Sequence, residues 1–192
     1  MGGYGAVVLA GGAGRRLGGP GKPLLPVGGR AMLDRVLAAV PDAAPRVVVG
    51  PAGLAVPPGV PLVSEQPPGG GPVAALAAGL TRVRTGVVAL LAADLPFLTP
   101  DAVGLLRTVL GESTVDGVVF VDGDGRWQTL CGVWRTGALR AALARQPEHH
   151  GMPLRNLLAG LGVGTVAAPP GGPPPWYDCD SPEDLDRAEG WA

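Results

Sequence analysis

The chain has 192 residues, 46% of them hydrophobic and 16% charged, and its 15 Lys and Arg against 16 Asp and Glu leave a net charge of −1. This length suits a single α/β domain, residues 1–192, with a sizeable core, and the positive mean hydropathy excludes a disordered chain. The near balance of charge and an aromatic content of 4% argue against a broad nucleic-acid surface or a platform for stacking bases.

The N-terminus, M-G-G-Y-G-A-V-V-L-A, enters an apolar run with no basic segment ahead of it, so no signal peptide is read. No apolar run approaches the ~20 residues of a membrane-spanning helix. Runs of strand length follow at Ala6–Ala10, Arg46–Val49, Leu62–Ser64, Val87–Ala92, Gly117–Val121, Leu130–Trp134 and Gly164–Ala167. Several are unbroken Val/Leu/Ala stretches without alternation, as expected of parallel strands buried on both faces. Helical patterns lie between them. Ala31–Val40 sets Leu33, Val36, Leu37 and Val40 on one face. Pro72–Val83 opens on a proline after Gly71, a residue pre-set for the first turn. Thr99-Pro100-Asp101 reads as an N-cap leading a helix to Leu110, and Ser181-Pro182-Glu183-Asp184 repeats that start with acids that favour the helix dipole. Pro51–Pro61 and Ala168–Pro175 are proline- and glycine-rich loops. Strands alternating with helices predict an α/β fold with a doubly wound, mostly parallel sheet and helices on both faces. Cys131 and Cys179 stand outside any C-x-x-C pair and are expected as reduced, buried thiols of a cytoplasmic protein.

The first strand runs into V-V-L-A-G-G-A-G-R-R-L-G-G-P-G-K-P-L-L-P, residues 7–26. It is not a dinucleotide fingerprint, because after Gly12-x-Gly14 the third glycine, Gly18, arrives one residue late. It is not a Walker A loop either: Arg16 stands where that loop needs its first glycine, and Pro23 follows Lys22. A kinase glycine-rich loop lies on a hairpin, whereas this one follows a first strand. The chemistry it still offers is that of a phosphate cradle. Glycine-rich turns aim backbone N–H groups at anions, Lys22 supplies a point charge, and Arg15 or Arg16 a guanidinium fork. Its place after a first strand is where open α/β sheets bind ligands. A second signal is L-L-A-A-D-L-P-F-L-T-P, residues 90–100, where Asp94 ends an apolar strand. A carboxylate there is costly unless paired or bound to a metal, and facing triphosphate oxygens it suits Mg²⁺. Thr99 already serves as the helix cap, which leaves Asp94 free for that role.

These segments together resemble the molybdenum cofactor guanylyltransferase (MobA-like) nucleotidyltransferases. The resemblance rests on L-A-G-G (Leu9–Gly12), G-x-R-R-x-G and G-K-P-L-L-P (Gly21–Pro26), followed in order by G-P-V-A-A-L (Gly71–Leu76), A-A-D-L-P-F-L (Ala92–Leu98), W-Q-T-L-C-G-V-W-R (Trp127–Arg135) and D-C-D-S-P-E-D-L (Asp178–Leu185). It runs from Val7 to about Ala188. It implies a nucleotide-diphospho-sugar transferase-like fold, Mg²⁺, and transfer of GMP from GTP to the phosphate of molybdopterin with release of pyrophosphate. By matching motif, Leu9, Ala10, Gly11 and Gly12 would contact the nucleotide through backbone, Lys22 its phosphates, Glu65 the nucleoside, and Asp94 both Mg²⁺ and nucleotide. Gly50 stands where many relatives carry a nucleotide-contacting Asn, so any contact there is by backbone or water. Gln128 falls on the acceptor side. So do Asp178 and Asp180, which replace two asparagines; as carboxylates they can join Asp94 at a metal, Asp180 foremost, but would repel an anionic acceptor.

The expected reaction is an in-line displacement at the α-phosphorus with Lys22, Asp94 and Arg15 or Arg16 as its catalytic groups; no Ser-His or Cys-His motif offers a protein nucleophile. The alternatives are a cytidylyltransferase or other small-metabolite nucleotidyltransferase on the same fold, and a non-catalytic nucleotide-binding regulator. His149 and His150 read as a solvated loop. Trp176 and Tyr177 either line the acceptor pocket or pack.

Overall fold

The computed structural model describes residues 2–11 and 19–192. In chain order the elements are β1 (Tyr4–Leu9), a 3-10 helix (Gly19–Leu24), a small hairpin of β2 (Pro26–Val27) and β3 (Arg30–Ala31), α1 (Met32–Ala38), β4 (Arg46–Val49), β5 (Leu62–Val63), α2 (Gly71–Leu80), β6 (Val87–Ala92), α3 (Pro100–Gly111), β7 (Gly117–Val121), β8 (Trp127–Arg135), α4 (Thr136–Ala144), α5 (Leu154–Leu158), β9 (Val163–Ala167) and α6 (Pro182–Glu189). Seven strands form one sheet in the order β5-β4-β1-β6-β8-β7-β9. Strand β8 runs antiparallel to both neighbours and every other pairing in that sheet is parallel.

The apolar runs explain the layering. Side chains alternate across a strand, so Ala6, Val8 and Ala10 face one way and Val7 and Leu9 the other. The first set packs with Leu33, Val36 and Leu37 of α1 and Val103, Leu106 and Leu110 of α3. The second packs with Val73, Leu76 and Leu80 of α2, Leu139 and Leu143 of α4, and Leu154 and Leu157 of α5. Both faces are therefore apolar, which is why β1, β4 and β6 read as continuous rather than alternating runs. Each fully buried Val or Leu contributes about 1.5–3 kcal/mol by leaving water.

The caps hold as the sequence predicts. The Ala102 N–H donates to Thr99 Oγ1 at 3.1 Å. Ser181 and Asp184 form a reciprocal capping box at the start of α6. Several elements differ from the expectation. The 2-residue strands of the β2–β3 hairpin are too short to show any period. Strand β8 starts at Trp127 rather than Leu130, because Gln128 and Thr129 break the apolar run that marks a strand. Helices α1 and α2 are shorter than their patterns: Val40 and Val83 are buried, but from the turns that follow the helices.

The chain leaves β1 toward β4 and β5, then returns to β6 on the other side of β1. The connections thus diverge between β1 and β6. A crevice opens beyond the carboxyl ends of strands at such a point, and open α/β sheets bind ligands there.

Candidate active site

A cleft of about 950 Å³ occupies that crevice. It is bounded by the ends of β1 (Leu9–Gly11), β4 (Gly50) and β6 (Ala92, Asp94), by the start of α2, and by the first residues of β8. Helix α2 enters it through Gly71, whose φ of +84° is a left-handed conformation that glycine adopts without strain. Among the described residues no side chain caps this helix, and its first residues, Gly71 and Pro72, line the cleft as an anion-favouring end.

Lys22 reaches the cleft from the 3-10 helix and forms ion pairs with Asp94 and with Asp180. The latter contact measures 2.5 Å. Two local devices set these carboxylates. Asp94 follows the end of β6, where the Ala93 N–H donates to Leu9 O at 3.0 Å. Asp180 precedes α6, and its backbone N–H donates to Asp184 of the capping box at 3.2 Å. The Cys179 N–H reaches Asp94 O at 3.4 Å and holds the two segments together. The Lys22 side chain is only 12% exposed. Burial works to lower its pKa, but the hydrogen bonds and charges of Asp180 and Asp94 outweigh it and hold the ammonium above its ordinary value.

A third carboxyl, Asp178, lines the same cleft. Loss of solvation, then the charges of Asp180 and Asp94, push its pKa up to about 6, against the opposing pull of its backbone hydrogen bond and Lys22. Among the described residues no three Asp, Glu, His or Cys side chains converge closely enough to ligate a metal unaided. The donor set still fits a hard divalent cation. Asp94 and Asp180 both touch one ammonium, so their oxygens lie within reach of one cation, and Mg²⁺ characteristically takes one or two carboxylates and completes its shell with phosphates and water. Cys179, fully buried beside this cluster, has its thiol pushed up to about 12, chiefly by desolvation.

The β1–β4–β5 side of the cleft is made of small residues and one carboxylate. Glu65 accepts the Gly69 N–H at 3.1 Å. At Gly50 the N–H donates to Val63 O at 2.9 Å, and Ser64 Oγ donates to Gly50 O at 2.7 Å. A Cβ at Gly50 would stand 3.1 Å from Leu54 Cδ2 and 3.3 Å from Ala10 Cβ. The position is thus closely packed, and an asparagine would have to displace Leu54. Gly12, Arg15 and Arg16 lie outside the described residues.

The opposite side is aromatic. Gln128 lines the cleft, but its amide donates to Asp122 Oδ2 at 3.0 Å, which leaves its carbonyl oxygen for a ligand. Trp176 both lines the cleft and packs, its ring centroid 5.3 Å from that of Phe120. Tyr177 packs only, edge-on to Trp191 at 5.0 Å. His149 and His150 lie in a loop against the N-terminal end of α2, where the Gly151 N–H donates to Gly70 O at 2.9 Å and a ring nitrogen of His149 meets Leu143 O at 3.1 Å. Sequence reasoning missed Trp127, which lines the cleft although it is 44% exposed. The signal was there, a tryptophan leading the W-Q-T-L segment, but a lone aromatic in sequence does not reveal its exposure.

A second cavity, of about 470 Å³, lies at the other end of the strands by Tyr4 and α3. Its guanidiniums are already committed. Arg107 bonds Asp42 at 2.9 Å and lies over the Tyr4 ring, and Arg135 donates to the carbonyls of Leu110, Ser113 and Val115. The chemistry of the molecule is therefore concentrated in the first cleft.

Residues 6–165 match the family described as the MobA-like NTP transferase domain. The chain belongs to this family. It is 30% identical to the molybdenum cofactor guanylyltransferase of Nitrobacter hamburgensis, over 95% of this chain and 91% of that protein. Among solved structures it resembles the molybdopterin-guanine dinucleotide biosynthesis protein A of Archaeoglobus fulgidus, with a TM-score of 0.73 and 20% identity over 96% of each chain. It also resembles Rv0371C of Mycobacterium tuberculosis H37Rv, solved as a complex with manganese, with a TM-score of 0.72 and 20% identity over 100% of each chain. The family is one of nucleotidyltransferase enzymes, and the fold expected from the sequence is the fold these structures share.

Proposed function

We propose that this MobA-like NTP transferase is a molybdenum cofactor guanylyltransferase of the cytoplasm, acting as one domain over residues 1–192. It transfers GMP from GTP to the phosphate of a molybdopterin acceptor and releases pyrophosphate. The observation that carries the reading is the meeting of Lys22 with Asp94 and Asp180 at the β1–β6 switch point, in a chain that matches a guanylyltransferase over nearly its whole length. The free thiols of Cys131 and Cys179 accord with a reducing compartment.

Leu9–Gly11, Gly50 and Glu65 receive the nucleoside, largely through backbone groups, and the family motif assigns Gly12 to the same role. The α2 N-terminus and Lys22 receive the phosphates. Asp94, with Asp180, holds Mg²⁺, which when bound supplies Lewis-acid neutralisation of phosphate charge. Lys22 exchanges its carboxylate partners for the phosphate oxygens on which charge grows as pyrophosphate leaves, and Arg15 or Arg16 adds a guanidinium fork there. Asp178 and the Gln128 carbonyl face the acceptor. Nothing in this arrangement needs a protein nucleophile, because positioning and charge neutralisation account for in-line transfer.

Pyrophosphate release by the purified protein with Mg²⁺ and molybdopterin, compared across GTP, CTP, ATP and UTP, tests the reading. Release with GTP alone is expected. Release with CTP instead would reassign the nucleotide, and tight GTP binding without release would point to a regulator. Lys22→Ala and Asp94→Ala should each lower turnover by about 10²–10³ or more. Near-wild-type turnover in either folded variant would sink the proposed roles.

A further inference from the structure

Three large apolar side chains are exposed among the described residues: Leu24, Trp127 and Trp191. Trp191 is held edge-on by Phe97 and Tyr177, at 5.7 and 5.0 Å. Of the three, only Trp127 lines the cleft. Its setting is unusual in a second way. On β8, Gly132 stands opposite Val119 and Gln128 stands opposite Phe120, so three residues of β8 fall where β7 has none. The pairing of β8 with β6 begins only at Cys131. Thr129 and Leu130 therefore have no strand partner in either register, and both line the cleft. Such a bulge re-aims side chains beside functional sites. Here it places the irregular backbone of Thr129 and Leu130 along the cleft beside an exposed indole.

We infer that Trp127 is the stacking platform for the flat heterocycle of the acceptor, and that the bulged backbone at Thr129 and Leu130 faces that heterocycle's polar edge. The inference rests on the guanylyltransferase reading for the identity of the acceptor. The geometry of the sheet assigns the side. The nucleoside end lies at β1, β4 and β5, and the phosphate-binding Lys22–Asp94 pair stands at the end of β6. Strand β8 lies beyond β6, across the reacting phosphates from the nucleoside. An in-line displacement brings the acceptor to the α-phosphorus from the side opposite the leaving pyrophosphate; with the nucleoside end at β1, β4 and β5, the planar group meeting Trp127 belongs to the acceptor. A pterin fits both features: a face for the indole, and an aminopyrimidinone edge of donors and acceptors for the bulged backbone. Trp176, fixed against Phe120, forms a further wall.

The probe is free pterin, the heterocycle alone, followed by its own fluorescence on titration with the full-length wild-type, Trp127→Ala and Trp127→Phe proteins. GTP affinity is measured on the same samples. The side chain is exposed, so neither substitution threatens the core. Trp127→Ala should weaken pterin binding about tenfold or more and Trp127→Phe by less than about threefold, as expected for aromatic stacking. GTP affinity should stay within about twofold of wild type, and in turnover the KM for molybdopterin should rise while kcat is largely kept. Equal pterin affinity in wild type and Trp127→Ala overturns the inference, and so does the absence of pterin binding by wild type. A loss of GTP affinity in its place would move Trp127 to the nucleotide and also overturns it. Trp127-dependent pterin binding without pyrophosphate release from GTP would uphold the platform while refuting the guanylyltransferase reading.

Discussion

Replacing Asp178 by Asn should make the protein more stable at neutral pH and not at acid pH. The folded Asp178 carboxyl holds its proton up to about pH 6, against 3.8 ordinarily, because it is desolvated and faces Asp180 and Asp94. A group with a raised folded pKa contributes fully to stability below its unfolded pKa, and the contribution is lost as pH rises through the folded value. The wild-type protein therefore loses stability at this position between about pH 4 and pH 6. At about 1.36 kcal/mol for each tenfold in proton affinity, the shift would correspond to about 3 kcal/mol in a fully shielded group. Asp178 keeps open surface in the cleft, and solvent screening reduces this to about 1 kcal/mol. Asparagine is nearly isosteric and never ionises. Asp178→Asn should gain about 1 kcal/mol above pH 6, or about 2–4 °C in Tm for a chain of this size, and almost nothing at pH 4. Calorimetry of both proteins in chelator, at pH 7.5 and pH 4, reads the difference directly, and comparison at each pH removes the other titrating groups. An equal gain at both pH values would refute the electrostatic account, as would a loss at pH 7.5.

Two further substitutions test the packing and the capping that support the site. Gly117→Ala on β7 would place a Cβ 2.0 Å from Cε3 of the fully buried Trp134, so repacking should cost about 1–3 kcal/mol and lower the Tm, and an unchanged Tm would show that the core yields freely there. Ser181→Ala removes the side-chain acceptor of the α6 capping box and should cost about 1 kcal/mol in thermal denaturation; the freed Asp184 would also hold Asp180 less firmly, so metal affinity measured by titration should fall along with stability.

Much of this protein is written in local sequence. The unbroken runs at Val7–Ala10 and Val87–Ala92 announce buried parallel strands, because strands covered on both faces cannot alternate. Thr99 and Ser181 announce helix starts, because capping is satisfied within three residues. The glycine loop and Asp94 each announce ligand chemistry, since each is costly without it. Other features have no local signature. Lys22 and Asp180 are 158 residues apart, and nothing in either segment names the other as partner. The antiparallel insertion of β8 between β6 and β7 fixes where the cleft's second wall stands, yet strand order depends on how the whole chain closes over both faces of the sheet. Trp127 could be placed in a strand only once the bulge opposite Val119 and Phe120 was seen, because Gln128 and Thr129 interrupt its apolar pattern. Residue type and spacing thus determined the elements and the kind of chemistry, both set by interactions within a few residues. The tertiary structure alone decided which of those groups meet, because contacts between distant segments arise from packing two apolar faces on one sheet.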